Sequence, residues 1–335
     1  MNATANQGDD GSGAVISQVG TLAPRAHDIL RILLGWIEGG AATALVTLVG
    51  IEGNSSRSPG TLMAVAADGR HVGSFSAGCI ETAIVAQAIE AIAEQRGRTV
   101  RYGVGSPYID LRLPCGGGID LTFTPTPDAA VIRAALSALD RRETASVAVM
   151  ENGIATGCDP TGYALTLVPP LRVLAYGQGE DLAVFARLAS FFGAVVEVVS
   201  PDESLPGEFG TLPVTVHRVE THHRAPRLSS DPWTAIVFLF HDHDWEGATL
   251  PAALAMPAFY HGAIGSRRTQ HARLRMLENM AVDPALVKRL RGRIGLIAST
   301  RDPATLALSI LSEVVAAYRE IVATGAAANN EPCAT

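Results

Sequence analysis

The sequence has no apolar run that reaches the roughly 20 residues of a membrane-spanning helix. Cysteine is scarce, at four in 335 residues, and no two cysteines are spaced as C-x-x-C. This argues against a disulfide framework and a structural zinc site, and we expect reduced thiols. The net charge of −7 argues against a general nucleic-acid binder. With 47% hydrophobic and 18% charged residues, the composition is that of a globular protein.

The length predicts two domains. Residues 1–16 begin with small and polar residues and lack the basic start and apolar stretch of a signal peptide, so we expect a cytoplasmic protein with a disordered tail there. Residues 323–335 predict a second disordered tail. Pro169-Pro170 predicts the boundary between an N-terminal domain over 17–168 and a C-terminal domain over 171–322.

The N-terminal half predicts a mixed α/β domain. Apolar spacing predicts an amphipathic helix over Ala26–Glu38, and Asp68-Gly69 predicts a hairpin turn. Ile119, Leu121 and Phe123 alternate with polar residues, which predicts a half-buried strand. Further strands are predicted over Ala44–Val49, Thr61–Val65, Val72–Phe75, Val147–Met150 and Ala164–Val168.

The C-terminal half alternates strands with helices, which predicts a Rossmann-like, doubly wound parallel sheet. A buried strand over Arg172–Tyr176 leads through Gly177-Gln178-Gly179 into a helix over Glu180–Phe192. Further strands are predicted over Val195–Val199 and Thr234–Phe240.

Cys79 stands where a glycine-containing run meets a predicted helix that begins at Ile80. A thiol there faces unsatisfied N–H groups and the positive end of the helix dipole, which favour the reactive, metal-binding thiolate. Cys115 precedes Gly116-Gly117-Gly118, again beside a glycine loop. Two thiols in two glycine loops indicate a site that handles a soft metal, sulfur or an electrophile.

Gly177-Gln178-Gly179 is a partial dinucleotide-binding fingerprint, because its two glycines allow a tight turn and a close approach to phosphate. The third glycine is replaced by Leu182. The acidic residue expected about 20 positions later is Ser200, with Asp202 offset from it. NAD recognition is thereby weakened. A phosphate-bearing ligand at the helix N-terminus and a Rossmann scaffold without a nucleotide both stay open.

Ser266-Arg267-Arg268 opens another predicted helix and supplies a serine cap, free N–H groups and two arginines, which suit an anion. Arginines in a first helical turn oppose the helix dipole, and this favours ligand binding over surface decoration. Arg57 lies in a loop before a strand. This arginine is a candidate to bind an anionic ligand near Cys79, and the alternative interpretation is that its loop is a simple β-turn.

His241-Asp242-His243-Asp244 follows a predicted strand, where the strand ends of α/β sheets carry function. In an extended segment the two histidines would point one way and the two aspartates the other. Polar lining of a cleft is the favoured interpretation, and metal binding is the alternative.

In this order, these motifs resemble the xanthine dehydrogenase accessory protein family, XdhC/CoxI. The resemblance covers most of the chain and implies an XdhC/CoxI-like N-terminal domain joined to a Rossmann-like C-terminal domain. It rests on Arg57–Met63, Asp68-Gly69 with Gly73, Gly78–Glu81, Cys115–Gly117, Gly177–Gly179, His241–Asp244, Gly262–Arg268, Gly295-Leu296 and Ala307–Glu313.

The resemblance implies a maturation chaperone for the molybdenum cofactor, as molybdopterin or its nucleotide form. Such a protein would protect the cofactor, assist its sulfuration and insert it into a xanthine dehydrogenase-type molybdenum hydroxylase. A cysteine desulfurase is the implied sulfur source, and a homodimer is expected.

On this hypothesis Cys79 is the cofactor or sulfur contact and a candidate molybdenum ligand, with Cys115 as the second catalytic thiol. The candidate cofactor-binding residues are Arg57, Gly78, Cys79, Gly177, Gly179, His241, Asp242, Ser266, Arg267 and Arg268. The alternatives are an NAD(P)-dependent oxidoreductase, a cysteine-dependent transferase that uses the Rossmann-like half, and a regulatory module that only docks to the hydroxylase.

Overall fold

A computed structural model describes residues 24–76, 80–106 and 116–329. The chain separates into two compact units between Leu167 and Val168, and each unit is described by itself. The predicted fold class is confirmed, since an antiparallel α/β unit is followed by a unit with a six-stranded parallel sheet.

The first unit holds two antiparallel sheets, one of five strands and one of three. Its described helices are α1 (Ala26–Glu38), α2 (Glu81–Glu94) and α3 (Ala129–Asp140). Its strands are β1 (Thr43–Glu52), β2 (Leu62–Ala66), β3 (His71–Val72), β4 (Arg98–Gly103), β5 (Gly118–Pro125), β6 (Ala145–Met150), β7 (Gly153–Thr156) and β8 (Tyr163–Leu167). The strand orders are β3-β2-β1-β5-β4 and β7-β6-β8.

Local sequence accounts for several boundaries of this unit. Helix α1 has the predicted bounds, and the Asp28 carboxylate accepts a hydrogen bond from the Arg25 N–H at 3.0 Å at its start. The chain then leaves α1 through Gly40, whose φ of +81° is accessible to glycine. Gly69, with φ +87°, forms the predicted turn between β2 and β3.

The expectation of a half-buried strand at β5 is wrong. Ile119, Leu121 and Phe123 pack in the core on the α2 side of the sheet. The other face is covered as well, because the core there is shared by α1, α3 and the three-stranded sheet. Thr122 and Thr124 are therefore buried too, although they alternate with the apolar residues.

The strands of the second unit are β9 (Arg172–Gly177), β10 (Val195–Ser200), β11 (Val214–Arg218), β12 (Thr234–Leu239), β13 (Tyr260–Ala263) and β14 (Leu290–Gly292). They form one sheet in the order β11-β10-β9-β12-β13-β14, and every neighbouring pair is parallel. Its described helices are α4 (Gly179–Phe191), α5 (Leu205–Phe209), α6 (Glu246–Ala255), α7 (Arg267–Asn279), α8 (Pro284–Val287) and α9 (Pro303–Asn329), with a 3₁₀ turn at His243–Trp245.

In order along the chain, these six strands are arranged 3-2-1-4-5-6, the doubly wound Rossmann order. Helices α4 and α9 share a core with one face of the sheet, and α6 and α7 share a core with the other. The order reverses between β9 and β12, so ligands of such sheets bind beyond the carboxyl ends of these two strands. Within the described residues, no helix is long and apolar enough to cross a membrane.

Candidate functional site

The first unit contains a cavity of about 580 Å³ that we call the arginine cavity. Arg25, Arg57 and Ser74 line it, and so do Gly60 and Gly73. Gly73 has φ +107°, and a Cβ there would lie 2.5 Å from the carbonyl oxygen of Leu62. The wall of the cavity therefore requires glycine at this position.

Arg57 links the arginine cavity to the segment that leads towards Cys79. Its side chain is exposed, and its Nε–H donates a hydrogen bond to the carbonyl oxygen of Ser74 at 3.0 Å. The Ser55 hydroxyl accepts a hydrogen bond from the Arg57 backbone N–H at 3.1 Å. Since no ion pair engages Arg57 within the described residues, the outer edge of its guanidinium can bind an anion.

The Glu81 carboxylate holds both ends of the segment that contains Cys79. Its Oε1 accepts hydrogen bonds from the Ser74 hydroxyl (2.7 Å), the Phe75 N–H (3.0 Å) and the Ser76 N–H (2.8 Å). Its Oε2 accepts from the Ser76 hydroxyl at 2.7 Å and the Ile80 N–H at 3.3 Å. One carboxylate therefore fixes the described residues on both sides of 77–79.

These bonds also set the charge of Glu81. Burial alone would raise the pKa of the carboxyl group, but the hydrogen bonds from Ser76 and Ser74 outweigh it and lower the pKa to about 2. At neutral pH, Glu81 therefore places a full negative charge at the start of α2, where it offsets the positive end of the helix dipole. The dipole argument for a thiolate at Cys79 is correspondingly weakened.

Gly78, Cys79 and Cys115 lie outside the described residues, and their predicted roles stay predictions. The described neighbours of both cysteine segments contact one loop, which follows β1. In this loop the Ser56 hydroxyl donates to the Phe75 carbonyl oxygen at 3.4 Å, and a Cβ on Gly117 would lie 2.2 Å from the carbonyl oxygen of Asn54.

Cys158 differs from the expectation of four reduced thiols, because it is disulfide-bonded. It therefore supplies no free thiol to this unit.

In the second unit, Gly177 and Gly179 lie at the predicted place, at the carboxyl end of β9. Gly177 pairs with Leu239 of β12, and a Cβ on it would lie 3.0 Å from the Leu239 carbonyl oxygen, so the close approach of the two strands favours glycine. Gly179 has φ +72° and forms the turn into α4. Leu182, at the position of the missing third glycine, is fully buried in the core.

The start of α4 is surrounded by negative charge. Glu180 and Asp181 lie in its first turn. Hydrogen bonds from Ser204, and a further one from the Gly179 N–H, lower the pKa of Asp202, so this carboxylate just beyond β10 is ionised at neutral pH. Three carboxylates at a helix N-terminus oppose the binding of phosphate there.

The expectation of an extended segment at His241–Asp244 is wrong, because a 3₁₀ turn begins at His243. His241 Nε2 lies 2.7 Å from Asp181 Oδ2 of α4, and Asp242 caps the turn by accepting from the Asp244 N–H at 3.1 Å. No group of three or more His, Cys, Asp or Glu side chains suited to a metal ion occurs in the described part of the chain.

Ser266, Arg267 and Arg268 open α7 as predicted. The Ser266 hydroxyl accepts a hydrogen bond from the Thr269 N–H at 3.1 Å and caps the helix. Arg267 and Arg268 are exposed, neither forms an ion pair with another described residue, and the first turn of α7 contains no acidic residue. The electrostatics therefore favour an anion at α7 over α4.

Helix α7, which these three residues open, also contributes to a buried ion pair. Arg273 of α7 and Glu246 of α6 form two hydrogen bonds of 2.7 Å, and both side chains are 1% exposed. Arg273 also donates to the Ile264 carbonyl oxygen at 3.1 Å, and Glu246 Oε1 lies 3.0 Å from His243 Nδ1. The pair thus joins the segments that follow β12 and β13.

Comparison with known proteins identifies the family. A model of the XdhC and CoxI family matches residues 36–103, and a model of the XdhC Rossmann domain matches residues 173–314. The chain is 32% identical over 295 residues to the molybdenum cofactor insertion chaperone PaoD of Escherichia coli (strain K12), a match that covers 85% of this chain and 86% of that protein. The chain belongs to the XdhC and CoxI family.

The fold also resembles a solved structure, described as a xanthine dehydrogenase from Bacillus halodurans. The TM-score is 0.70 at 19% identity, over 87% of this chain and 96% of that one. At this identity the likeness shows the shared fold alone.

Most of the predicted site residues lie in one of the two matched regions. Arg57, Gly78 and Cys79 fall in the first match, and Cys115 lies outside both. The second match contains Gly177, Gly179, His241, Asp242, Ser266, Arg267 and Arg268, all at or just beyond the carboxyl ends of β9, β12 and β13.

The roles of Glu81 and Arg273 are not among the sequence predictions. The sequence does carry a signal for Glu81, because an acidic residue in a first helical turn that follows two serines is suited to capping. No comparable signal marks Arg273, which occurs among the exposed arginines of α7 and becomes buried only because Glu246 comes from another helix.

Proposed function

We propose that this protein is a molybdenum cofactor chaperone. On this proposal it binds and protects the cofactor, assists its sulfuration and delivers it to a xanthine dehydrogenase-type molybdenum hydroxylase. The family and the relative in Escherichia coli, whose name states cofactor insertion, support the chaperone role. The proposal further includes a cysteine desulfurase as sulfur donor, a homodimer and a cytoplasmic location.

The observation that carries the proposal is the continuous hydrogen-bond network from Arg57 through Ser74 to Glu81. One end of this network lines a cavity of about 580 Å³, a size suited to an organic cofactor. The other end holds both sides of the segment that contains Cys79. A soft metal centre with sulfur ligands suits a cysteine thiol, so the donor set fits this cofactor.

The proposal gives each candidate residue a separate role. Arg57 would bind an anionic group of the cofactor, and Cys79 would contact the metal or carry sulfur, with Cys115 as the second thiol. In the second unit, Ser266, Arg267 and Arg268 are the favoured phosphate-binding residues, because α7 lacks the acidic first turn of α4. Bound cofactor would supply the molybdenum–sulfur chemistry, and the protein would supply binding, orientation and shielding.

An anaerobic titration of molybdenum cofactor against wild type, Cys79→Ser and Arg57→Lys tests the proposal. We expect saturable binding by wild type and weaker binding by both variants, since lysine cannot form the planar two-point contact of arginine. Arg70→Lys is the matched control, because Arg70 is an exposed arginine of the same unit that pairs with Asp68. Absence of binding by folded wild type would contradict the proposal, and so would full client activation by Cys79→Ser.

A further inference from the structure

The first unit has another cavity, of about 530 Å³, on the face of the five-stranded sheet that turns away from α2. We call it the threonine cavity. It is lined from the sheet by Val49, Thr99 and Thr122, and from the smaller sheet and its loops by residues that include Glu151 and Tyr163.

A row of three threonines crosses this face of the sheet, and two of them, Thr99 and Thr122, line the threonine cavity. Thr47, Thr122 and Thr99 are direct cross-strand neighbours, so their side chains share one face. The hydroxyl groups of Thr99 and Thr122 lie 3.0 Å apart, while the buried Thr47 hydroxyl has no hydrogen-bond partner among the described residues. Thr47 and Thr122 are buried, whereas Thr99 is exposed. A buried hydroxyl group without a partner costs stability, so packing alone does not account for Thr47 in this row.

The rim of the threonine cavity carries a carboxylate without a cation. Glu151 and Asn152 lie at the β6–β7 turn, Thr161 and Tyr163 complete the rim, and Glu151 forms no ion pair within the described residues. Neither arginine nor lysine lines the cavity. Its walls therefore disfavour an anion and suit a neutral ring that donates N–H groups to a carboxylate and accepts hydrogen bonds from hydroxyl groups.

The two cavities of this unit are neighbours. Gly60 lines the arginine cavity, and a Cβ on Gly60 would lie 3.5 Å from the hydroxyl oxygen of Tyr163, which lines the threonine cavity. One ligand could therefore extend past Gly60 and Tyr163, with an anionic end beside Arg57 and a neutral ring beside Thr99 and Thr122.

We infer that the threonine cavity binds the pterin ring of a ligand whose anionic end binds beside Arg57. This inference rests on the proposed function and deepens it. The aminopyrimidinone edge of a pterin presents two adjacent N–H donors, which match the two oxygens of the Glu151 carboxylate as the fork of an arginine does. The ring carbonyl accepts a hydrogen bond from a threonine hydroxyl.

The test compares two fluorescent ring compounds, pterin and lumazine, which differ only in that lumazine has a carbonyl group in place of the 2-amino group. We expect wild type to bind the pterin at least about tenfold more tightly than lumazine, because lumazine loses one of the two bonds to Glu151. Glu151→Gln should weaken pterin binding about tenfold and abolish the preference. Glu143→Gln, an exposed carboxylate on the same unit that lies outside the cavity lining, is the matched control.

Equal affinity of wild type for the two rings, or an unchanged preference in Glu151→Gln, would overturn the inference. A titration of the same variants with molybdenum cofactor separates it from the proposed function. If wild type binds the cofactor and Glu151→Gln binds it equally well, the ring pocket is wrong and the chaperone role stands. If folded wild type binds only the simple pterin, with the expected dependence on Glu151, the ring pocket stands and the chaperone role fails.

Discussion

Glu246 and Arg273 form a two-point ion pair that is inaccessible to solvent and that also binds the carbonyl oxygen of Ile264. Removal of one partner leaves the other charged and buried, which costs far more than an exposed pair contributes. The pair therefore holds α7 against α6, and this helps to fix the position of Arg267 and Arg268 at the start of α7.

Arg273→Ala should lower the free energy of unfolding of the second unit by about 3–5 kcal/mol. Urea unfolding followed by circular dichroism measures this. Arg268→Ala is the control, since Arg268 is exposed on the same helix and its loss should change stability by less than about 0.5 kcal/mol. Equal effects of the two substitutions would show that the buried pair does not stabilise the unit.

Glu81→Gln should destabilise the first unit at neutral pH, because the amide cannot accept all the hydrogen bonds that the carboxylate accepts. The folded-state pKa of about 2 is below the ordinary value of 4.5. The carboxylate therefore stabilises the fold fully above pH 4.5, and this contribution is lost as the pH falls towards 2. Unfolding of wild type and Glu81→Gln between pH 7 and pH 2 should show a difference that shrinks on acidification.

Glu90→Gln is the control for this pH series. Glu90 lies on the same helix, but its carboxylate is exposed and pairs with Arg98 at the surface. A Glu81→Gln difference that stayed constant from pH 7 to pH 2 would contradict the proposed origin of its stabilisation.

Gly73→Ala should destabilise the first unit and weaken the binding of any ligand in the arginine cavity. The new Cβ would lie 2.5 Å and 2.9 Å from backbone atoms of Leu62 and Met63, which cannot move independently of β2. Gly69→Ala is closely matched, because its φ of +87° imposes similar strain but a Cβ there meets nothing within 4 Å. Thermal unfolding should show a clearly larger loss of stability for Gly73→Ala than for Gly69→Ala. Equal losses would mean that the close approach of residue 73 to the backbone of β2 is unimportant.

The double variant Arg267→Ala, Arg268→Ala should weaken binding of a phosphate-bearing ligand by tenfold or more and reduce its dependence on salt. Isothermal titration at two ionic strengths measures both effects. Glu180→Gln, in the first turn of α4, tests the competing site. If phosphate bound at α4, removal of this negative charge would tighten binding, whereas no change is expected if it binds at α7.

The parts of this structure that the sequence predicts well depend on local chemistry. Helix α1 has the predicted bounds because its apolar spacing and the turn at Gly40 decide them. The cap at Ser266 follows from residue type and position. Alternation of strands and helices predicts the parallel sheet, since few topologies satisfy that pattern.

The parts that the sequence did not predict depend on distant segments of the chain. The alternating pattern of β5 predicts a solvent face, but residues of the smaller sheet cover it. The segment at His241 bends because its side chains bind Asp181 and Glu246 on two helices instead of continuing the strand. The threonine cavity likewise exists only where two sheets meet, and no local pattern indicates it.

The core of the second unit has a consequence for the order of events during synthesis. Helix α9 contributes Ile310, Leu311 and Val314 to the core that it shares with α4, although more than a hundred residues separate these helices along the chain. The apolar cores of the first unit use only residues up to Leu167. During synthesis, the first unit can therefore pack before α9 has been made. At that stage β9 and α4 still lack the helix that buries their apolar face.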